Sequence, residues 1–564
     1  MVFKLVNGWA SPLIFGSAGF VAAMAALPQK AAAQSHDPAR PNILVVTTED
    51  ISCYLGCYGD PNAKTPNLDR FATQAIRYTN MHTPNGVSAP SRFALITGCY
   101  PSRFGANYMR ASDNHYEVCL PGEIRAYTEY LRGAGYFCTN NSKTDYQIGV
   151  TTAQWDENST QATWKDCPEG QPFLSIFNIM TTHESMIWVR KDPLEVQPED
   201  IDMSRFPYLP DDPVVRADLA RLYTNIAIMD RESQAYFDEI EAAGLADNTI
   251  IIWYSDNGGP IPRGKRSIYD TGTRVPFMVK FPDGYRAGQV EDRIVTFMDI
   301  PATILSLAGV PVPDYMDGKA FLGEQTAAPA RYFFQTRDRY GNSSDHSAGV
   351  QDQRFQYIRN YRTEDPNYMD NNYRKAMPMM LRMLEMRDAG ELNEDQMQYF
   401  KAPRPVEEFY DLANDPYELH NLAGDPAFKY DFARLKAEYD AWNEGANARW
   451  DRWTEADWIE VFNPAGAQRV VAAPFVEKTA QGYVASCATP DVSLVWQVTD
   501  KKPAAEEAAP AGPGALMGGR TDRSKGWHYY TGPIPAVKGK YLTVKACRAG
   551  FSESAPVSLR MTGK

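Results

Sequence analysis

The run Thr249-Ile250-Ile251-Ile252-Trp253-Tyr254-Ser255-Asp256-Asn257 decides the fold. Its first six residues are β-branched or aromatic and show no polar alternation, the pattern of a strand buried on both faces of a sheet. Three other runs read the same way: Asn42 to Val46, Tyr136 to Thr139, and Phe173 to Ile179. Helical spacing lies between them. Leu68, Phe71, Ala72, Ala75 and Ile76 come after a Pro66-Asn67 start, Glu123 to Arg132 precedes a turn at Gly133 and Gly135, and Leu219 to Ile240 runs up to Gly244. Strands alternating with helices predict an α/β fold with a mostly parallel central sheet flanked by helices.

The residues just past the strands locate a site. The first run leads to Glu49-Asp50, the second to Lys143, the third to His183 and the fourth to Asp256-Asn257. Ligands of open α/β sheets sit beyond the carboxyl ends of the strands. Taken singly, Glu49-Asp50 and Asp256-Asn257 read more readily as ordinary turn or helix-cap residues. Four strand ends at one edge predict a shared site of two acidic clusters, a lysine and a histidine.

The chain has 564 residues, 44% apolar and 23% charged, with a formal net charge of −13 and a pI near 5.2. This acidic balance argues against nucleic acid or anionic lipid as the main partner, yet leaves room for an anionic substrate held by a local basic cluster. The length suggests about two to four domains. At the N-terminus Lys4 supplies a short positive region, Trp9 to Leu27 is apolar and small-residue-rich, and Ala31-Ala32-Ala33 fits a cleavage site. Residues 1–33 therefore read as a signal peptide of an exported, periplasmic or secreted, bacterial protein with no stable membrane anchor. The eight cysteines permit disulfides in such a protein, with Cys487 and Cys547 the pair expected, and their spacing matches no zinc module.

The catalytic α/β part is expected over 40–325, with a smaller α+β subdomain over 326–466. Within the latter, a Met-rich insert from Asn372 to Phe400 carries Met377, Met379, Met380, Met383 and Met386, read as helix packing. From 470 to 564 short alternating strands such as Leu494-Trp496-Val498 and Tyr541-Thr543-Lys545 predict an all-β sandwich module, interrupted by an Ala/Pro/Gly/Glu-rich, disordered loop at 502–519.

Residues 88 to 98 read Ser-Ala-Pro-Ser-Arg-Phe-Ala-Leu-Ile-Thr-Gly. This resembles the signature of the formylglycine-dependent sulfatases, a family of the alkaline-phosphatase-like superfamily, in its serine-type form. A chance match to its seven fixed positions is on the order of 10⁻⁸ per starting point. The resemblance continues through Arg40-Pro41-Asn42 to Glu49-Asp50, Thr65 to Asp69, Ser255 to Gly259, Gly264-Lys265-Arg266 with Arg274-Val275-Pro276, Asp299 to Thr303, and Phe409 to Pro416. It covers roughly 40–430, and the last hundred residues are similar to a chitobiase-type C-terminal β-sandwich.

The resemblance implies that Ser88 is converted to formylglycine by a radical-type maturation enzyme, and that Glu49, Asp50, Ser88, Asp256 and Asn257 hold one divalent cation, Ca²⁺. It further implies a base at Asp256 and an Arg92 that fixes the nucleophile. Lys143 and Lys265 would clamp sulfate oxygens, and His183 would bind sulfate or protonate the leaving alcohol. Asp145 and Arg266 would bind substrate. Two positions depart from the family. Lys143-Thr144-Asp145 stands where Lys-x-His is usual, so Asp145 replaces the histidine that would steady the nucleophile, and Glu49-Asp50 stands where Asp-Asp is usual. The implied substrate is a sulfated polysaccharide or glycosaminoglycan fragment. Segments 140–146 and 181–185 are similar to a polysaccharide-type branch that includes sulfamidase-like members. Two alternatives stay open: a phosphomonoesterase or phosphodiesterase of the same superfamily, and a non-catalytic carbohydrate-binding protein using Trp496, Trp527, Tyr529 and Tyr530.

Overall fold

The computed structural model describes residues 40–114, 116–445, 450, 452–464, 466, 468–503 and 522–562. The expected signal peptide, His36 and His115, and all of the 502–519 loop after residue 503 lie outside the described residues.

A nine-stranded sheet forms the centre. Its strands are β1 (Asn42–Thr48), β2 (Ile76–His82), β3 (Phe137–Asn141), β4 (Glu157–Asn158), β5 (Phe173–Ile179), β6 (Thr249–Ser255), β7 (Arg274–Lys280), β8 (Val290–Glu291) and β9 (Val295–Thr296). The order is β4-β3-β5-β1-β6-β7-β2-β8, with β9 also on β2. The four apolar runs are thus consecutive neighbours, β3-β5-β1-β6, and all parallel. Only β7 runs against the rest. Ile43 and Val45 of β1 join the core on one face, and Leu44 and Val46 join the core on the other, so no residue of this strand faces water. That is why the strands read as unbroken apolar runs.

Helix α1 (Pro66–Ala72) is shorter than its spacing suggested. Ile76, expected to continue it, instead begins β2, where its side chain is fully buried. Helix α2 (Ser88–Thr97) and helix α3 (Tyr127–Gly133) cover one face. The long helix Pro213–Ala242, capped by Asp212 on the Val214 amide, covers the other.

Beyond the central sheet, β10 (Phe333–Arg337), β11 (Ser347–Gln351), β12 (Phe355–Asn360) and β13 (Glu407–Asp411) make an antiparallel sheet. The Met-rich insert folds as helix Pro378–Ala389, and Met377, Met379, Met380 and Met383 are fully buried in the core on the long helix's side. The C-terminal region carries β14 (Phe475–Thr479) paired with β15 (Gly482–Ser486). A second antiparallel sheet contains β16 (Ser493–Thr499), β17 (His528–Tyr529), β18 (Tyr541–Cys547) and β19 (Val557–Arg560). The expected Cys487–Cys547 disulfide is absent. Cys547 ends β18 with its thiol toward Glu553, whereas Cys487 comes just after β15 in the other sheet and faces the Ala472 carbonyl. All eight cysteines are free.

Candidate active site

The carboxyl ends of β3, β5, β1 and β6 bring the predicted residues together. Ser88 opens α2 behind an extended Val87, and its hydroxyl donates to Asn257 Oδ1 at 2.9 Å. A helix N-terminus presents free amides and favours negative charge in front of it. Four residues on, Arg92 is buried and donates from Nε to Asp256 Oδ2 (3.0 Å), from Nη1 to Asn178 Oδ1 (2.8 Å) and from Nη2 to Glu49 Oε1 (2.6 Å). Asn257 Nδ2 donates to Asp50 Oδ1 at 2.9 Å. One connected network therefore runs from the end of β1 to the end of β6.

Two lysines enter from opposite sides. Lys143 donates to Glu49 Oε2 and lies 3.7 Å from Asp256, while Lys265 donates to Asp50 Oδ2 at 2.8 Å. Three non-glycine residues of this region, Asp50, Asp145 and Arg266, adopt positive φ (47°, 55° and 74°). Left-handed backbone costs on the order of 1–3 kcal/mol at such residues and persists where surroundings enforce it. Gly258 is needed for packing, since a Cβ there would stand 2.4 Å from the Thr271 carbonyl oxygen.

The electrostatics are set by burial and neighbours. Burial and the Asp256 carboxylate push Glu49 up to about 7, against Lys143 and Arg92. Asp256 goes the other way: burial alone would raise it, but Arg92, Lys143 and Lys265 hold it well below the usual range. Burial and Lys265 lower His183 to about 4, which leaves it neutral. Its Nδ1 accepts the Ser185 amide at 3.3 Å and lies 2.8 Å from Ser185 Oγ, so the ring proton sits on Nε2.

Ligand atoms of Glu49, Asp50 and His183 lie within 4.8 Å of one another. With Asp256 and Asn257 bonded into the same network, this carboxylate- and amide-rich donor set fits a hard divalent cation. Glu49, whose ionisation is suppressed here, is the group that gains from added positive charge.

Two expected substrate ligands have protein partners. Asp145 takes a bidentate pair from Arg110 (2.6 and 2.9 Å). Arg266 forks onto Glu184 (2.8 and 2.5 Å). Glu184 escaped the sequence reading, as did Asn178, which orients Arg92. Also missed was Arg374, which holds the Pro260 and Lys265 carbonyls (3.0 Å to the latter). Glu184 is the residue after His183, and that adjacency was its one signal. Asn178 stands next to last in β5, in a run read as a strand leading to the site, whereas Arg374 is tied to the site only by tertiary contacts.

The sulfatase family model matches residues 41–310, and the N-sulphoglucosamine sulphohydrolase C-terminal model matches 263–387. An ulvan-active sulfatase of Formosa agariphila is 34% identical over 568 residues, covering 93% of this chain and 91% of that protein. The chain belongs to the sulfatase family. Human N-sulphoglucosamine sulphohydrolase is 26% identical to this sulfatase over 73% of the chain and 92% of its own length. Among solved structures, the 2-O GAG sulfatase BT1596 aligns with a TM-score of 0.55 at 16% identity, covering 74% of this sulfatase and 94% of that chain, which shows a shared fold.

Proposed function

We propose that this sulfatase is exported and removes sulfate from a sulfated polysaccharide or glycosaminoglycan fragment. In this reading Ser88 is converted to formylglycine, and Glu49, Asp50, Asp256 and Asn257 hold one divalent cation, Ca²⁺. The observation that carries it is the position of Ser88: it opens α2, bonded to Asn257, inside the network that joins Glu49, Asp50 and Asp256. The relatives named for ulvan and N-sulphoglucosamine make sulfated glycans the substrates to try first.

A bound cation supplies neutralisation of sulfate oxygens and a more acidic nucleophile. Formylglycine supplies, as its hydrate, a second hydroxyl that expels sulfate without a further attack. The chain's own residues do the rest. In this reading Asp256 is the base: held ionised by Arg92, it would take the proton of the nucleophile. Lys143 and Lys265 release their carboxylates and clamp sulfate oxygens, where charge grows during transfer. His183, neutral with its proton on Nε2, donates a hydrogen bond to sulfate or the bridging oxygen; this geometry favours sulfate binding over full protonation of the leaving alcohol.

The rival readings find less support. Among the described residues, His183 is the one histidine in the acidic cluster, where two-metal phosphoesterases use several. The aromatic residues of the C-terminal module are engaged in packing. Trp527 is buried against Ala153 and Val495, and Trp496 lies 4.8 Å from the His528 ring.

The test is the accurate mass of the tryptic peptide Tyr78 to Arg92 from enzyme matured in a competent host, together with sulfate release from ulvan and glycosaminoglycan oligosaccharides. A peptide lighter by about 2 Da and trappable by hydrazide is expected. Unmodified serine in protein that releases sulfate would overturn the mechanism.

A further inference from the structure

The groups that face sulfate do not discriminate between sulfate esters, because every such ester presents the same oxygens to Lys143, Lys265 and His183. Selectivity requires a surface for the ring that carries the sulfate. We propose that Trp188 and Tyr373 form an aromatic shelf beside His183 on which a pyranose ring bearing the scissile sulfate stacks. The proposal rests on the sulfatase reading above and deepens it by naming the ring-binding surface.

Trp188 lies in the short helix Met186–Val189, five residues after His183. Tyr373 comes from a distant part of the chain, at the entry to the turn Arg374–Ala376. Their ring centroids are 5.3 Å apart with planes at 76°, which makes an L-shaped corner. Tyr373 stands 6.4 Å from the His183 ring.

The corner opens at the site. Tyr373 meets the His183 ring edge-on, with the planes at 67°, and the next residue, Arg374, lies 3.7 Å from Glu184. Ser185 contacts His183 Nδ1. Tyr373 is nevertheless 46% exposed, and Trp188 is half-buried. Exposed aromatic surface rimmed by polar groups marks a ligand surface, and an amphipathic ring suits a sugar's mixed C–H and O–H face.

The shelf is also held rigid relative to the sulfate clamp. Arg374, next to Tyr373, is fully buried and donates to the Lys265 carbonyl at 3.0 Å. The residue that positions Tyr373 is thus bonded to the residue that would grip sulfate. Pre-set geometry of this kind lowers the ordering cost of binding.

The test compares Trp188→Ala, Tyr373→Leu, Trp188→Phe and Tyr373→Phe with wild type. The readouts are KM and kcat on an ulvan or glycosaminoglycan oligosaccharide that wild type desulfates, and inhibition by inorganic sulfate. The first two variants are expected to raise KM about tenfold with little change in kcat or in the sulfate inhibition constant. The two phenylalanine variants, which keep a ring, should stay near wild type. An unchanged KM in Trp188→Ala and Tyr373→Leu overturns the shelf. A sulfate inhibition constant that rises in step with KM also overturns it, because the rings would then only support the clamp. Wild type that desulfates none of the oligosaccharides sinks the glycan-sulfatase reading itself, and the shelf with it.

Discussion

Arg92 directs its guanidinium at three acceptors at once, Asp256, Asn178 and Glu49. A lysine keeps the charge but cannot hold three fixed directions. Arg92→Lys is therefore expected to lower kcat about 10²- to 10³-fold, the scale seen when one preorganised donor is lost, and to lower the melting temperature as well, because a buried acceptor is left without a donor. A kcat within threefold of wild type would mean that Arg92 supports the fold and not the reaction. Asp145 illustrates the limit of a motif at this scale. It stands where a nucleophile-steadying histidine is usual, which suggested a contact to substrate instead, and the structure pairs its carboxylate with Arg110. Burial, which alone would raise it, is overridden by that guanidinium. A sequence gives the neighbour in the chain, whereas the partner here lies 35 residues away.

The strand pattern was legible in β1, β3, β5 and β6, as unbroken apolar runs. The other five strands of the central sheet were not read, and two of them show why. β2 carries Arg77, Thr79 and Asn80, and its burial is broken. β7 contains Pro276, which lies opposite the irregularity between Tyr78 and Met81 of β2, where a missing amide does least harm. The Met-rich helix was correctly read as packing, and its anchoring gives a pH prediction. Asp218 of the long helix accepts the Met379 amide at 2.7 Å, and burial pushes its carboxyl up to about 6. The stabilisation tied to the protonated acid is complete below the unfolded value of 3.8 and is lost as pH rises through about 6. Asp218→Asn keeps an acceptor but does not titrate. The variant should thus gain stability relative to wild type between pH 4 and 6, by up to about 3 kcal/mol. Denaturant midpoints that track in parallel across that range would refute this.

At the scale of the whole molecule, the sequence separated a catalytic part from a C-terminal β-module but could not show how firmly they join, since that depends on side chains hundreds of residues apart. Arg125 donates to Ser493 (3.3 Å) and Tyr529 (3.1 Å), and Ser493 also bonds to the buried Glu129. Arg132 donates to the Trp527 carbonyl at 2.8 Å, and Glu553 accepts from Thr152. Trp527 itself packs against Ala153, with Lys545 4.7 Å from its ring. Removal of the module would take the Ser493 hydroxyl from Glu129 and the Trp527 carbonyl from Arg132, which keep the Ala126 amide and Asp156 respectively, and a buried polar group left unpaired costs about 1–3 kcal/mol. The intact chain is therefore expected to unfold in a single calorimetric transition, and Trp527→Ala to lower that transition as a whole by several degrees. Two resolved transitions, with only the smaller one moved by Trp527→Ala, would show that the module is a loosely tethered appendage whose aromatic residues are available for other work.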